Sequence, residues 1–176
     1  MEHQTEVLIS EAEIIQRINE LGKQISMDYH EKKLTIVCVL KGALIFLADL
    51  LRRIELNPDL EFIHVSSYYD KTFSSGQVKI DNEISTQIEG RDILIVDDIL
   101  DSGLTLYQIR EKILSKNPLS IKICVLLNKQ SRRIKDIKAD YIGFNIPDEF
   151  VVGYGMDYNG KYRGLSHISI MKQQAE

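Results

Sequence analysis

Apolar residues recur along this chain with two different periods. Between Glu11 and Tyr29 the residues Ile14, Ile18, Leu21 and Ile25 return to one face of a helix. Ser10-Glu-Ala-Glu13 ahead of them has the spacing of a capping box. Leu34 to Leu40 and Ile93 to Val96 are instead unbroken runs rich in β-branched residues, as in strands buried on both faces. The pattern predicts a second helix over Ala43 to Arg53, with Leu44, Leu47 and Leu51 turned inward, and a strand over Leu60 to Tyr69. Asp70 to Gln77, rich in Ser, Lys and Gly, reads as a loop, with Val78 to Ile84 as the strand that returns from it. A third helix over Leu104 to Leu114 ends before Asn117-Pro118. Ser120 to Leu127 is a further strand, and residues 131 to 136 a helical turn. Tyr141 to Phe144 and Glu149 to Tyr154 are short strands on either side of Pro147.

Strand and helix alternate, so the expected fold is α/β: a mostly parallel central sheet with right-handed crossovers, flanked by helices. At 176 residues and 44% apolar composition the chain suits one domain with a packed core. Its C-terminal segment, with part of the N-terminus, is expected to add a small hood. Cys38 and Cys124 fall inside strand runs and read as reduced core residues. The net charge of −4 and pI of about 5.6 argue against a general nucleic-acid binder. No run approaches the roughly 20 apolar residues of a membrane helix, and the polar stretch Met1 to Glu6 does not resemble a signal peptide. A cytoplasmic location is expected.

The candidate chemistry is concentrated in Val96-Asp-Asp-Ile-Leu-Asp-Ser-Gly-Leu-Thr105. The apolar run ends at the acidic pair Asp97 and Asp98, Asp101 opens a short loop, and the helix follows. Gly103 lets the backbone turn and approach a ligand closely. Loop amides and a helix N-terminus provide donors and partial positive charge for a phosphate. Ser102 and Thr105 add hydroxyls. The carboxylates can accept from sugar hydroxyls or hold a magnesium ion. The plain alternative is a solvated strand edge with Asp-Ser-Gly as a helix cap.

This stretch closely resembles the phosphoribosyl-pyrophosphate (PRPP) motif of the phosphoribosyltransferases. Val39-Leu-Lys-Gly42 resembles their pyrophosphate loop. Leu126-Leu-Asn-Lys129 and Glu149-Phe-Val-Val-Gly-Tyr154, with Asp157 and Arg163, resemble the purine pocket of the hypoxanthine-guanine members. The four stretches run in the family's order over residues 39 to 163. Asp97, where the family often has Glu, and Ala43, where it often has Gly, depart from the pattern.

The resemblance implies purine salvage: Mg²⁺-dependent transfer of the 5-phosphoribosyl group from PRPP to hypoxanthine and guanine. It implies Asp101 as the catalytic base, and Asp97, Asp98, Ser102, Gly103, Leu104 and Thr105 around PRPP. Lys41, Gly42 and Arg163 would meet pyrophosphate, with Leu40-Lys41 as a candidate cis peptide and Arg133 as a further candidate for that contact. Lys129, Phe150, Val151 and Asp157 would hold the purine, and Asp97, Asp98 and Asp157 the metal. Ser67 and Tyr68 would belong to a mobile loop that closes over the reacting centre. A homodimer or homotetramer is expected, with neither nucleic acid nor membrane as partner. From the residues alone, Asp101 could equally cap the helix, Lys129 could be a surface lysine and Phe150 a core phenylalanine. A different class of protein, an RNA-binding regulator built on the same fold, would need a basic face, which the acidic pI does not favour.

Overall fold

The computed structural model describes residues 4–67, 78–80 and 88–172. The elements run β1 (Thr5–Ile9), α1 (Glu11–Asp28), β2 (Leu34–Leu40), α2 (Leu44–Leu51), β3 (Asp59–Ser67), β4 (Val78–Ile80), β5 (Asp92–Leu100), α3 (Leu104–Leu114), β6 (Ser120–Asn128), a 3₁₀ turn (Gln130–Arg132), β7 (Tyr141–Asn145), β8 (Val151–Val152) and β9 (Ile168–Met171). One sheet has the order β4-β3-β2-β5-β6-β7. Its neighbours from β3 to β7 pair in parallel, and β4 is antiparallel to β3. A second, antiparallel sheet has the order β1-β9-β8.

The strand runs behave as doubly covered strands should. Along β2, Ile36 and Cys38 pack into one apolar cluster while Val37 and Val39 pack into the other; β5 divides Leu94 and Val96 from Ile93 and Ile95 in the same way. Each face is therefore lined by alternate residues of an unbroken apolar run. Helix α1 covers the first face with Ile14, Ile18, Leu21 and Ile25. Ser10 and Glu13 close the capping box, Ser10 N donating to Glu13 Oε2 at 2.9 Å and Glu13 N to Ser10 Oγ at 3.4 Å. Such a cap contributes about 1 kcal/mol. Helix α3 covers the second face with Leu106, Ile109 and Ile113.

Several expectations need correction. Strand β5 does not stop at Val96 but continues to Leu100, since Asp97, Ile99 and Leu100 still pair with Val125, Leu127 and Asn128 of β6. Helix α2 is shorter than 43–53 and is turned differently: Phe46, Leu47 and Leu50 are buried, Leu51 is partly buried and Leu44 is 52% exposed. Leu44 lies one residue off the stripe formed by positions 43, 46, 47 and 50. The helical turn expected over 131–136 is a 3₁₀ turn at Gln130–Arg132. The strand expected over 149–154 reduces to Val151–Val152, because Gly153, Tyr154 and Gly155 all take positive φ, at 100°, 49° and 101°. Strands β1 and β9 were not foreseen. Of the strand expected over 78–84, residues 81–84 lie outside the described residues, as do Tyr68 and the loop at 70–77; of Ser67 only the backbone is described.

Candidate active site

The C-terminal ends of β2, β5 and β6 open into one cleft of about 480 Å³, the place where open parallel sheets bind ligands. Lys41 and Gly42 enter it from β2, Asp97, Asp98, Asp101, Ser102, Gly103 and Thr105 from β5 and the turn into α3, and Lys129 from β6. Phe150, Val151, Asp157 and Arg163 come from the C-terminal segment. Leu104 does not line the cleft. Its amide donates to Ser102 Oγ at 3.3 Å.

Both members of the acidic pair line the cleft. Asp97 is only 6% exposed and its Oδ1 accepts from the Asp98 amide at 2.9 Å. Burial, reinforced by the charge of Asp98, holds its carboxyl well above the usual carboxylate range. Asp98 is also raised by burial, against the opposing effects of its contacts with Asp97 and Ile99 and of the Arg163 charge. Two carboxylates so placed favour a cation or a proton between them. Asp157 is differently engaged: Oδ1 lies 2.6 Å from Arg163 Nη2, and Oδ2 accepts from the Gly160 amide at 2.8 Å. Among the described residues no group of three or more His, Cys, Asp or Glu side chains could hold a metal by itself. Asp97 and Asp98 suit Mg²⁺, which takes one or two carboxylates and completes its shell with water and substrate phosphates.

The Leu40–Lys41 peptide bond is cis. A Cβ on the glycine after it, Gly42, would overlap Asp98 Oδ2, so a side chain there would have to move that carboxylate. Gly155 is constrained in turn: its φ is 101°, and a Cβ there would overlap the carbonyl oxygen of Gly42. Arg163 Nη1 donates to the Gly155 carbonyl at 2.6 Å. The turn at 153–157 thus rests directly on the loop after β2.

Asp101 is not the cap of α3. That position is held by Gly103 at φ 80°, with no side-chain hydrogen bond, and a Cβ on Gly103 would come within 2.7 Å of Ile137 Cγ2. Asp101 Oδ1 is buried without a hydrogen-bond partner. Lys129 is 5% exposed, so it is no surface lysine. Its Nζ donates to the Glu149 carbonyl at 2.9 Å and lies 3.8 Å from Asp148 Oδ1. Phe150 is 50% exposed, which removes the core reading, and meets Tyr158 edge to face at 5.8 Å. Cys38 and Cys124 are free and buried; burial pushes the Cys38 thiol up to about 12.

Arg133 does not line the cleft, contrary to the expectation that it could reach a pyrophosphate. Its guanidinium is occupied by backbone carbonyls and the side chain of Asn128. Arg132 lines the cleft instead and pairs through Nε with Asp148 Oδ1 at 2.6 Å. Asp148 had not been singled out, and Asn128 and Arg132 stood in the sequence only as neighbours of Lys129 and Arg133; their contacts form only in the folded chain.

The phosphoribosyl transferase domain family matches residues 3–159 of this chain. The chain is 49% identical over 173 residues to the hypoxanthine-guanine phosphoribosyltransferase of Bacillus subtilis (strain 168), covering 98% of this chain and 96% of that protein. It is 42% identical over 168 residues to the enzyme of the same name from Streptococcus thermophilus (strain CNRZ 1066), covering 96% and 93%. A crystal structure of a hypoxanthine phosphoribosyltransferase from Staphylococcus aureus superposes with a TM-score of 0.90 at 45% identity, over 95% of this chain and 91% of that one.

Proposed function

The chain belongs to the phosphoribosyltransferase family, and from that membership and the cleft we propose that it transfers the 5-phosphoribosyl group of PRPP to N9 of hypoxanthine and guanine. The products are IMP or GMP and pyrophosphate. One observation carries the reading: the buried Lys129 and the exposed Phe150 ring line one cleft with the buried Asp97, its partly buried neighbour Asp98 and a phosphate-type loop. Relatives named for this reaction, at 42% to 49% identity over nearly the whole chain, support it.

In this mechanism the amides and hydroxyls of Ser102, Gly103 and Thr105 hold the 5-phosphate at the start of α3. Asp97 and Asp98 accept from the ribose hydroxyls and would hold Mg²⁺, which would supply charge neutralisation to the departing pyrophosphate. Lys41, Gly42 and Arg163 meet the pyrophosphate oxygens. Lys129 donates to the 6-oxo group of the purine, Phe150 stacks on its ring, and the carbonyls near Val151 and Asp157 accept from its N–H edge. As C1′ becomes oxocarbenium-like, the buried carboxylates stabilise its charge, and Asp101 handles the proton at purine N7. We read the β1-β9-β8 sheet as the hood of a single domain, and the protein as a cytoplasmic homodimer or homotetramer. Initial rates with PRPP, Mg²⁺ and each base test the reaction: turnover of hypoxanthine and guanine is expected, and turnover of neither would overturn it.

Two further outcomes follow from the acidic pair. Calorimetry should show PRPP affinity falling sharply when EDTA removes Mg²⁺, because the acidic pair and the pyrophosphate otherwise repel; equal affinity with and without metal would refute the shared site. Gly42→Ala should raise the KM for PRPP by about tenfold or more, since the added Cβ must displace the Asp98 carboxylate and displacements of about 1 Å are costly in such sites. An unchanged KM would show that the loop tolerates a side chain there.

A further inference from the structure

The carboxylate of Asp101 has no hydrogen-bond partner at its buried Oδ1, so nothing on that oxygen orients it. Its backbone, in contrast, is held. The Asp101 carbonyl accepts from Arg133 Nε at 3.0 Å, and the Leu100 carbonyl from Arg133 Nη2 at 3.2 Å. Arg133 Nη1 donates to the Ile137 carbonyl at 2.5 Å, and Nη2 also to Asn128 Oδ1 at 2.7 Å. Asn128, buried at the end of β6, donates onward to Asn145 Oδ1 of β7 at 2.7 Å. The amides of Ile134 and Lys135 donate to the Ser102 carbonyl at 2.9 and 3.1 Å, and that of Lys129 to Leu100 at 3.0 Å. Segment 129–137 therefore wraps loop 100–103, with one guanidinium at the centre. A planar fork can hold four acceptors at once in fixed directions, which a point-like ammonium cannot.

We infer that Arg133 is a positioning residue for the reaction: by holding the Leu100 and Asp101 carbonyls against Asn128 it places the Asp101 carboxylate relative to the purine that Lys129 binds. This rests on the proposed role of Asp101 at purine N7. A residue that acts through Asp101 has little left to do when that carboxylate is gone, whereas one that only supports the fold costs the same in either background.

The test is a double-mutant cycle on the rate of the first turnover, by rapid quench at saturating PRPP, Mg²⁺ and hypoxanthine. Arg133→Met keeps the apolar stem and removes the donors. It should slow the wild type by about 10- to 10²-fold, a fraction of what a positioned base typically contributes, and slow Asp101→Asn by less than about threefold. Arg133→Lys, which retains the charge, should fall between, and it carries the same cycle if Arg133→Met does not fold. Equal factors in the two backgrounds would overturn the inference and leave the role of Asp101 standing. A wild type without turnover, or an Asp101→Asn variant at full rate, would overturn the proposed function or that role, and the inference with it.

Discussion

Asp101→Asn should fold normally and lose about 10²-fold or more in kcat, the usual contribution of a positioned general base. Asparagine has nearly the same shape, and the contact that ties this residue to Arg133 is made by its backbone carbonyl. Gly103, not Asp101, caps α3, so the helix loses nothing. What disappears is a carboxylate able to take a proton, at a place where its buried oxygen has no other partner. Circular dichroism and thermal melts check the fold, and steady-state rates with hypoxanthine check the loss. An unchanged spectrum with near-normal kcat would remove Asp101 from the chemistry.

The parallel core could be read in the chain because β2 and β5 are continuous apolar runs, and few other structures accommodate seven consecutive residues such as Leu34 to Leu40. The cleft could be read because its parts are local: Asp97, Asp98, Asp101 and Ser102 lie within six residues of each other, at a strand end. Features made by tertiary approach could not be read. Strand β1, exposed over three of its five residues, becomes a strand by pairing with β9 at the other end of the chain. The stretch 149–154 has the apolar composition of a strand, yet the positive φ values at Gly153, Tyr154 and the following Gly155 end β8 after two residues. Arg132 and Arg133 are adjacent and chemically identical, and only the approach of segment 129–137 to loop 100–103 separates the one in the cleft from the one beneath it. Asp148 takes on meaning only when Arg132 reaches it.

Hypoxanthine and guanine should be used in preference to adenine by orders of magnitude in kcat/KM. Lys129 Nζ has three donors and no acceptor; it donates to the Glu149 carbonyl, lies 3.8 Å from Asp148 Oδ1, and lines the cleft together with Phe150. A 6-oxo group accepts from such a donor, while the 6-amino group of adenine presents donors of its own. Adenine would leave a buried ammonium facing N–H groups, and unpaired buried polar groups cost about 1–3 kcal/mol each, more when charged. A site built round such a contact discriminates by roughly 10⁴-fold. Xanthine should be the weakest of the three oxopurines, because its 2-oxo group would face the carbonyls near Val151 and Asp157. Lys129→Ala should lose activity with the oxopurines and narrow the gap to adenine, since the donor that separates them is gone. Initial rates for all four bases at saturating PRPP and Mg²⁺, wild type beside variant, decide the matter. A wild type that uses adenine as well as hypoxanthine would require a different residue to read the purine 6-position.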